Sequence, residues 1–180
     1  MTAESPSRTI ETRRHQMFPT LGVADIERVR RFGTPRHYGR GDCLFRAGEP
    51  GPGMFLVLKG TVAITQRDGL GRVVPIERQG PGQFLAEIAQ LSGRPALVDG
   101  HADEDVEALL VPPEQLRALI IAEADLGERL VRAMILRRVA LIESGGSGPV
   151  LIGPPQSAPL LRLQNFLQRN GHPYHVVDAT

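Results

Sequence analysis

Residues 82–100, GQFLAEIAQLSGRPALVDG, hold the residue types best suited to gripping a small anion. One carboxylate, Glu87, and one guanidinium, Arg94, stand in an otherwise largely apolar stretch between Gly82 and a Gly-Arg-Pro corner at 93–95. A carboxylate accepts hydrogen bonds from hydroxyl groups, and a guanidinium offers a planar fork of donors that suits a phosphate. The segment therefore has nearly the layout of a site that holds a phosphate and a sugar. Other reactive residues are less well placed. Cys43, the only cysteine, falls in a strand-like run and reads as a small core residue. It excludes an intramolecular disulfide and a thiolate metal cluster within the sequence. His172 and His175, in HPYH, supply at most half a metal site. His101 and the acidic run Asp103, Glu104, Asp105 read as an exposed loop. No Ser/His/Asp or paired-carboxylate constellation stands out. No catalytic or metal-ligating residue is assigned, and the chain is not expected to be an enzyme.

The elements that must position residues 82–100 follow from periodicity. Residues 1–16 are polar and expected to be flexible. From Met17 to Arg31, Phe18, Leu21, Ile26 and Val29 recur at roughly helical spacing, which predicts one or two short helices. Between Gly33 and Val111, short runs of Val, Ile, Phe and Leu alternate with Gly- and Pro-containing turns. That spacing predicts a compact antiparallel β barrel or roll. RDGLGR at 67–72 reads as a hairpin tip, since Asp-Gly tolerates positive φ, and Gly41, Gly48, Gly60 and Gly80 punctuate strands in the same way. After Val111 the period lengthens again, with Pro112–Pro113 at the helix entry and Glu114 in its first turn. Gly127 is expected to joint a short helix to a longer one at about 125–143. The longer helix carries more apolar surface than packing on a small roll requires, which points to self-pairing. SGGSGP at 144–149 has linker composition, and VLIG, SAPLLRLQNFLQRNG and YHVV then read as strand, helix, strand. Ser157 is the expected N-cap and Gly171 the expected C-terminal stop. A lone βαβ unit cannot bury its own sheet, so it should continue into a further domain or lean on a partner.

Composition bounds the function. The chain has 180 residues, 41% of them hydrophobic and 23% charged, with a net charge of +1. That suits one core-bearing domain with an appendage and gives no broad basic face for nucleic acid. Neither a secretory leader nor a run of apolar residues long enough to span a bilayer is visible, so a cytoplasmic protein with no membrane partner is expected. Twenty arginines accompany a single lysine, Lys59.

Three blocks in order, GDCLFRAGEP (41–50), MFLVLKGTVAI (54–64) and GQFLAEIAQLSGRPA (82–96), resemble a cyclic nucleotide-binding domain of the catabolite-activator type. The resemblance covers about residues 17–143. It implies an α+β fold: an eight-stranded antiparallel β-roll of jelly-roll-like double-stranded β-helix form, flanked by N- and C-terminal helices. It also implies that the segment 85–97 is a phosphate-binding cassette. In such a cassette a short helix aims N-terminal amides at the cyclic phosphate, a glutamate accepts the ribose 2′-hydroxyl, and an arginine pairs with the phosphate. By resemblance Glu87 holds the glutamate position and Pro95 the proline, while the arginine position falls on Ala96 and the usual glycine before the glutamate is Ala86. The implied ligand-binding residues are Phe84, Leu85, Ala86, Glu87, Ile88, Arg94, Pro95, Ala96 and Leu97. Arg94 shares a face with position 96 in an extended chain but sits roughly 6–7 Å away. Glu87 could equally brace the cassette turn with no ligand bound.

Residues 148–178 resemble the start of the thioredoxin- or glutaredoxin-like segment found in bacterial flavoproteins, which join a cyclic nucleotide-binding domain to a thioredoxin-reductase-like oxidoreductase. The matching residues are LIG, RLQNFL and NGHPYHVVD. Neither Cys-x-x-Cys nor Gly-x-Gly-x-x-Gly occurs in the chain, so FAD and NADPH would enter only with a downstream oxidoreductase domain. The expected function is a regulatory module that senses cyclic AMP or cyclic GMP, a homodimer through helix 125–143 that acts on a downstream or partner redox domain. Two alternatives stand beside it: a ligand-free structural and dimerisation module, and the sensor domain of a transcription regulator. The last would need a helix-turn-helix after the long helix, where the pattern of 150–178 is βαβ instead.

Overall fold

The run MFLVLK reads as continuously apolar because both faces of its strand are covered. In the computed structural model, which describes residues 8–67, 72–86, 91, 95–143, 149–172 and 174–179, this run is β3 (Met54–Lys59). Successive side chains of a strand point to opposite faces. Met54 and Leu56 join a cluster with Leu116 and Leu130 of the C-terminal helices. Phe55 and Val57 join a second cluster with Leu44, Leu85 and Ala108 inside the roll. These four side chains, of the six in β3, are fully buried, and burial of each is worth about 1.5–3 kcal/mol.

Two four-stranded sheets enclose the second cluster. The first runs β1 (Thr34–Tyr38), β8 (Val106–Val111), β3, β6 (Phe84–Leu85). The second runs β2 (Cys43–Phe45), β7 (Asp99–Ala102), β4 (Val62–Arg67), β5 (Val73–Gln79). All neighbouring strands within these sheets are antiparallel, so the α+β class and the eight-stranded antiparallel roll expected from the sequence are observed. Arg67 faces Val73 across the β4–β5 hairpin, whose expected Asp-Gly tip at 68–71 lies outside the described residues. Gly60 turns β3 into β4 with φ +80, and a Cβ there would stand 2.4 Å from the Asp105 carbonyl oxygen. Gly41 and Gly48 also adopt positive φ, but at the next turn Gly82 does so rather than Gly80. Cys43 is half-buried and its Sγ donates to the Phe45 carbonyl at 3.3 Å, so it is a strand residue at the edge of the core.

The N-terminal boundary differs from expectation. Residues 1–16 were predicted flexible, yet helix α1 spans Arg8–Met17 and packs along α4. Its polar sequence hides it, because an isolated helix of this length is marginal and tertiary contact supplies its stability. Helix α2 (Val23–Arg30) buries Val29. Helices α3 (Pro113–Ala122) and α4 (Ala124–Glu143) meet at Glu123, whose φ −122 and ψ 72 leave the helical region. Gly127, expected at that joint, instead lies inside α4. A Cβ there would stand 2.7 Å from the Ile120 carbonyl oxygen, so glycine lets the two helices approach closely. No helix among the described residues is long and apolar enough to cross a membrane.

An ionic cluster pins α2 to the α3–α4 joint. Arg28 donates to Glu123 at 2.7 Å and to Asp125 at 2.5 Å, and Arg129 reaches Asp25 at 2.6 Å. The hydrogen bond from Arg28 holds the Asp125 carboxyl down to about 2 from its ordinary 3.8. A lowered carboxyl pKa contributes stability that is full above the unfolded value and disappears as pH falls through the folded value. Arg28→Met should therefore melt below the wild type at pH 6, with the difference closing as pH falls from about 4 to about 2. Thermal melts across that range check it; a difference independent of pH would contradict the pairing.

The tail forms β9 (Val150–Ile152), α5 (Ala158–Arg169) and β10 (His175–Val177), with β9 and β10 parallel. Ser157 occupies the N-cap position without a side-chain cap bond. Gly171, at φ +62, ends α5 as predicted: its amide donates to the Gln168 carbonyl at 3.1 Å and that of His172 to Leu167 at 2.9 Å. This 5→2 and 6→1 pair is the Schellman ending that glycine favours. Residues 144–148 of the expected linker lie outside the described residues. Ile152 and Phe166 remain exposed, as expected of a βαβ unit standing alone.

Candidate functional site

A cavity of about 310 Å³ opens between the second sheet and the helices lying over it. Ile64 of β4 and Gln79 of β5 contribute to one wall, and Leu85 and Ala86 contribute with Ala96 and Val98 to another. Residues Met17 and Phe18 and the α4 residues Arg137 and Leu141 cover it. The volume is at the lower end of the range for small-molecule sites. Most of the wall is apolar; the charged groups among its described lining residues are Arg14, Glu77 and Arg137. Arg14 and Glu77 form an ion pair across the mouth between α1 and β5.

Of the residues expected to bind ligand, Leu85, Ala86 and Ala96 line this cavity. Phe84 faces the other way, into the cluster beneath the helices, because adjacent residues of β6 point to opposite faces. Pro95 is exposed and bridged to Pro50, and Leu97 is half-buried; neither lines the cavity. Glu87, Ile88 and Arg94 lie outside the described residues. The side chain at 96, where the resemblance places an arginine, is a buried methyl at the cavity wall. Its backbone is fixed, the amide donating to Glu49 O at 2.9 Å and the carbonyl accepting from Gly48 N at 2.8 Å.

Two residues of the site were not found from the sequence. Arg137, one of the adjacent arginines Arg137 and Arg138 on α4, turns inward. Its Nε donates to Met17 O at 2.7 Å and its Nη1 to Phe84 O at 2.9 Å and Ala86 O at 3.4 Å. The guanidinium also sits 4.5 Å from the Phe84 ring centre and 5.0 Å from that of Phe18. One side chain thus joins α4 to the end of α1 and to β6. Arg138 donates to Gly171 O at 2.6 Å and so links α4 to the tail. Gln79 is 2% exposed, and neither its Nε2 nor its Oε1 has a hydrogen-bond partner among the described residues. The alternation of β5 gave no signal for it; Gln79 is inward because it pairs with fully buried Val62 and shares its face.

Comparison with known proteins gives matches to the roll. Residues 35–123 match the family model of the cyclic nucleotide-binding domain. A cyclic nucleotide-gated potassium channel of Mesorhizobium japonicum is 29% identical over 124 residues, covering 69% of this chain and 33% of the channel. A CRP-like cAMP-activated global transcriptional regulator of Mycobacterium tuberculosis is 26% identical over 103 residues, 57% of this chain and 46% of the regulator. The chain thus spans between a third and a half of these relatives. Among solved structures, the catabolite activator protein of Thermus thermophilus superposes with a TM-score of 0.60 at 24% identity, covering 72% of this chain and 60% of that one. The N-terminal domain of a transcriptional regulator from Streptomyces coelicolor A3(2) gives 0.53 at 25% identity, covering 71% and 90%.

Proposed function

We propose that the roll, of which residues 35–123 match the cyclic nucleotide-binding domain model, is a cyclic nucleotide-binding regulatory module whose ligand, cyclic AMP or cyclic GMP, occupies the cavity beneath α4. The observation that carries this reading is the cavity itself, with Leu85, Ala86 and Ala96 in its wall and Arg137 tying that wall to α4. A ligand seated against Ala86 alters the carbonyls that Arg137 holds, and α4 moves in response. The Arg138 contact to Gly171 passes the movement to the βαβ tail. A ligand shifts such an equilibrium only by its differential affinity for the two arrangements. The bonds of Arg137 are what would differ between them.

Calorimetry with cyclic AMP and cyclic GMP tests the reading. Micromolar binding that Glu87→Ala abolishes supports sensing; no heat at millimolar ligand leaves a ligand-free scaffold. Self-association through α4 belongs to the same proposal. Met134 is buried in the core of the single chain, but Ile135 is 47% exposed, with half-buried Val131 and Val139 one turn to either side. Ile135→Glu should halve the sedimenting mass, and an unchanged dimer mass would contradict pairing through this face.

The parallel βαβ tail supports a further element, that residues 150–177 open a second α/β domain of the thioredoxin-like redox class. The relatives named as transcriptional regulators weigh towards nucleic acid as the output instead. The order of the described tail elements, strand, helix, strand, favours the redox reading. Flavin absorbance in the purified product of the complete gene supports it, and a colourless product contradicts it.

A further inference from the structure

Gln79 ends β5 with its side chain inside the roll, where an aliphatic residue would pack without penalty. Taking an amide out of water without giving it a partner is costly, and native proteins keep few such groups. Here both amide atoms are unpartnered among the described residues, and the side chain lines the cavity. The surrounding wall, with Ile64, Leu85, Val98 and Leu141, offers apolar contact for a flat ring and leaves Gln79 to recognise its polar edge.

We propose that Gln79 is the base-reading residue of this site and selects adenine. The inference rests on the reading above that a cyclic nucleotide enters the cavity. A glutamine amide presents one acceptor beside one donor in a plane. Adenine offers the complementary pair on both edges, its 6-amino group standing next to a ring-nitrogen acceptor on either side. Guanine offers such a pair on its Watson–Crick edge, but on the other edge presents two acceptors, which satisfy half of the amide. The same bidentate contact reads adenine in protein–DNA complexes.

Calorimetry of wild type and Gln79→Leu with cyclic AMP, cyclic GMP and the cyclic purine monophosphate lacking the 6-amino group tests this. The wild type should bind cyclic AMP about 5- to 150-fold more tightly than the des-amino analogue. Gln79→Leu should abolish the preference for cyclic AMP over the analogue. In the ligand-free protein the same substitution should raise the melting temperature by a few degrees, because it removes an unpaired buried amide. Equal binding of cyclic AMP and analogue by the wild type, or an undiminished preference for cyclic AMP in Gln79→Leu, overturns the inference and leaves the proposed site standing. A lower melting temperature shows the amide to be satisfied without ligand and also overturns it. Failure of the wild type to bind any of the three removes the proposed function and this inference together.

Discussion

Exchange of Arg137 for methionine is expected to lower the melting temperature by about 6–20 °C and to disconnect ligand binding from movement of α4. The guanidinium donates to carbonyls of Met17, Phe84 and Ala86 and lies over two aromatic rings. Each hydrogen bond from a charged group contributes about 1.5–3 kcal/mol, and each ring contact about 0.5–2 kcal/mol. Contributions from one side chain are not additive, which brings the expected loss to about 3–5 kcal/mol. Methionine keeps the apolar stem but deprives three carbonyls of a donor. Arg137→Lys should fall between the two, since an ammonium cannot span α1 and β6 as the fork does. Thermal melts with and without cyclic AMP check both effects. A methionine variant that melts like the wild type would remove Arg137 from the structural account.

Placing an arginine at position 96 is expected to tighten cyclic AMP binding by about 10- to 150-fold. The estimate is a charge-assisted bond to the phosphate of about 1.5–3 kcal/mol, with each 1.4 kcal/mol a factor of ten. The backbone at 96 is already held by Gly48 and Glu49, and its methyl lines the cavity. Ala96→Arg should therefore place a guanidinium at the cavity wall without redirecting the chain. Without ligand that charge stands in a largely apolar cavity, so the free protein should melt lower and gain more on binding than the wild type does. Calorimetry measures the affinity; an unchanged value would mean that the phosphate does not approach residue 96.

The elements that write themselves as periods were legible in the sequence. The buried run of β3, the long α4 and the strand–helix–strand tail all occur where the residue pattern puts them. The glycine stop at 171 was equally readable, because αL geometry at a helix end has few alternatives. What stayed hidden depends on packing between distant segments. Helix α1 has no apolar stripe to announce it and is held by α4. Gly127 resembles a helix joint in sequence, but its role is to let α4 approach Ile120. Arg137 is one of an arginine pair on a helix, and only the position of Phe84 and Met17 in space turns it inward. Gln79 ends a strand whose other residues are mainly exposed, so its burial follows from pairing with Val62 rather than from its neighbours in the chain.

The site of occupancy is the central claim, and amide chemical-shift mapping on addition of cyclic AMP reads it directly. The predicted shifts cluster at Gln79, Leu85, Ala86 and Ala96 and extend along α4 from Arg137 to Leu141. Saturating shifts elsewhere on the surface, or none at millimolar nucleotide, would contradict occupancy of this cavity.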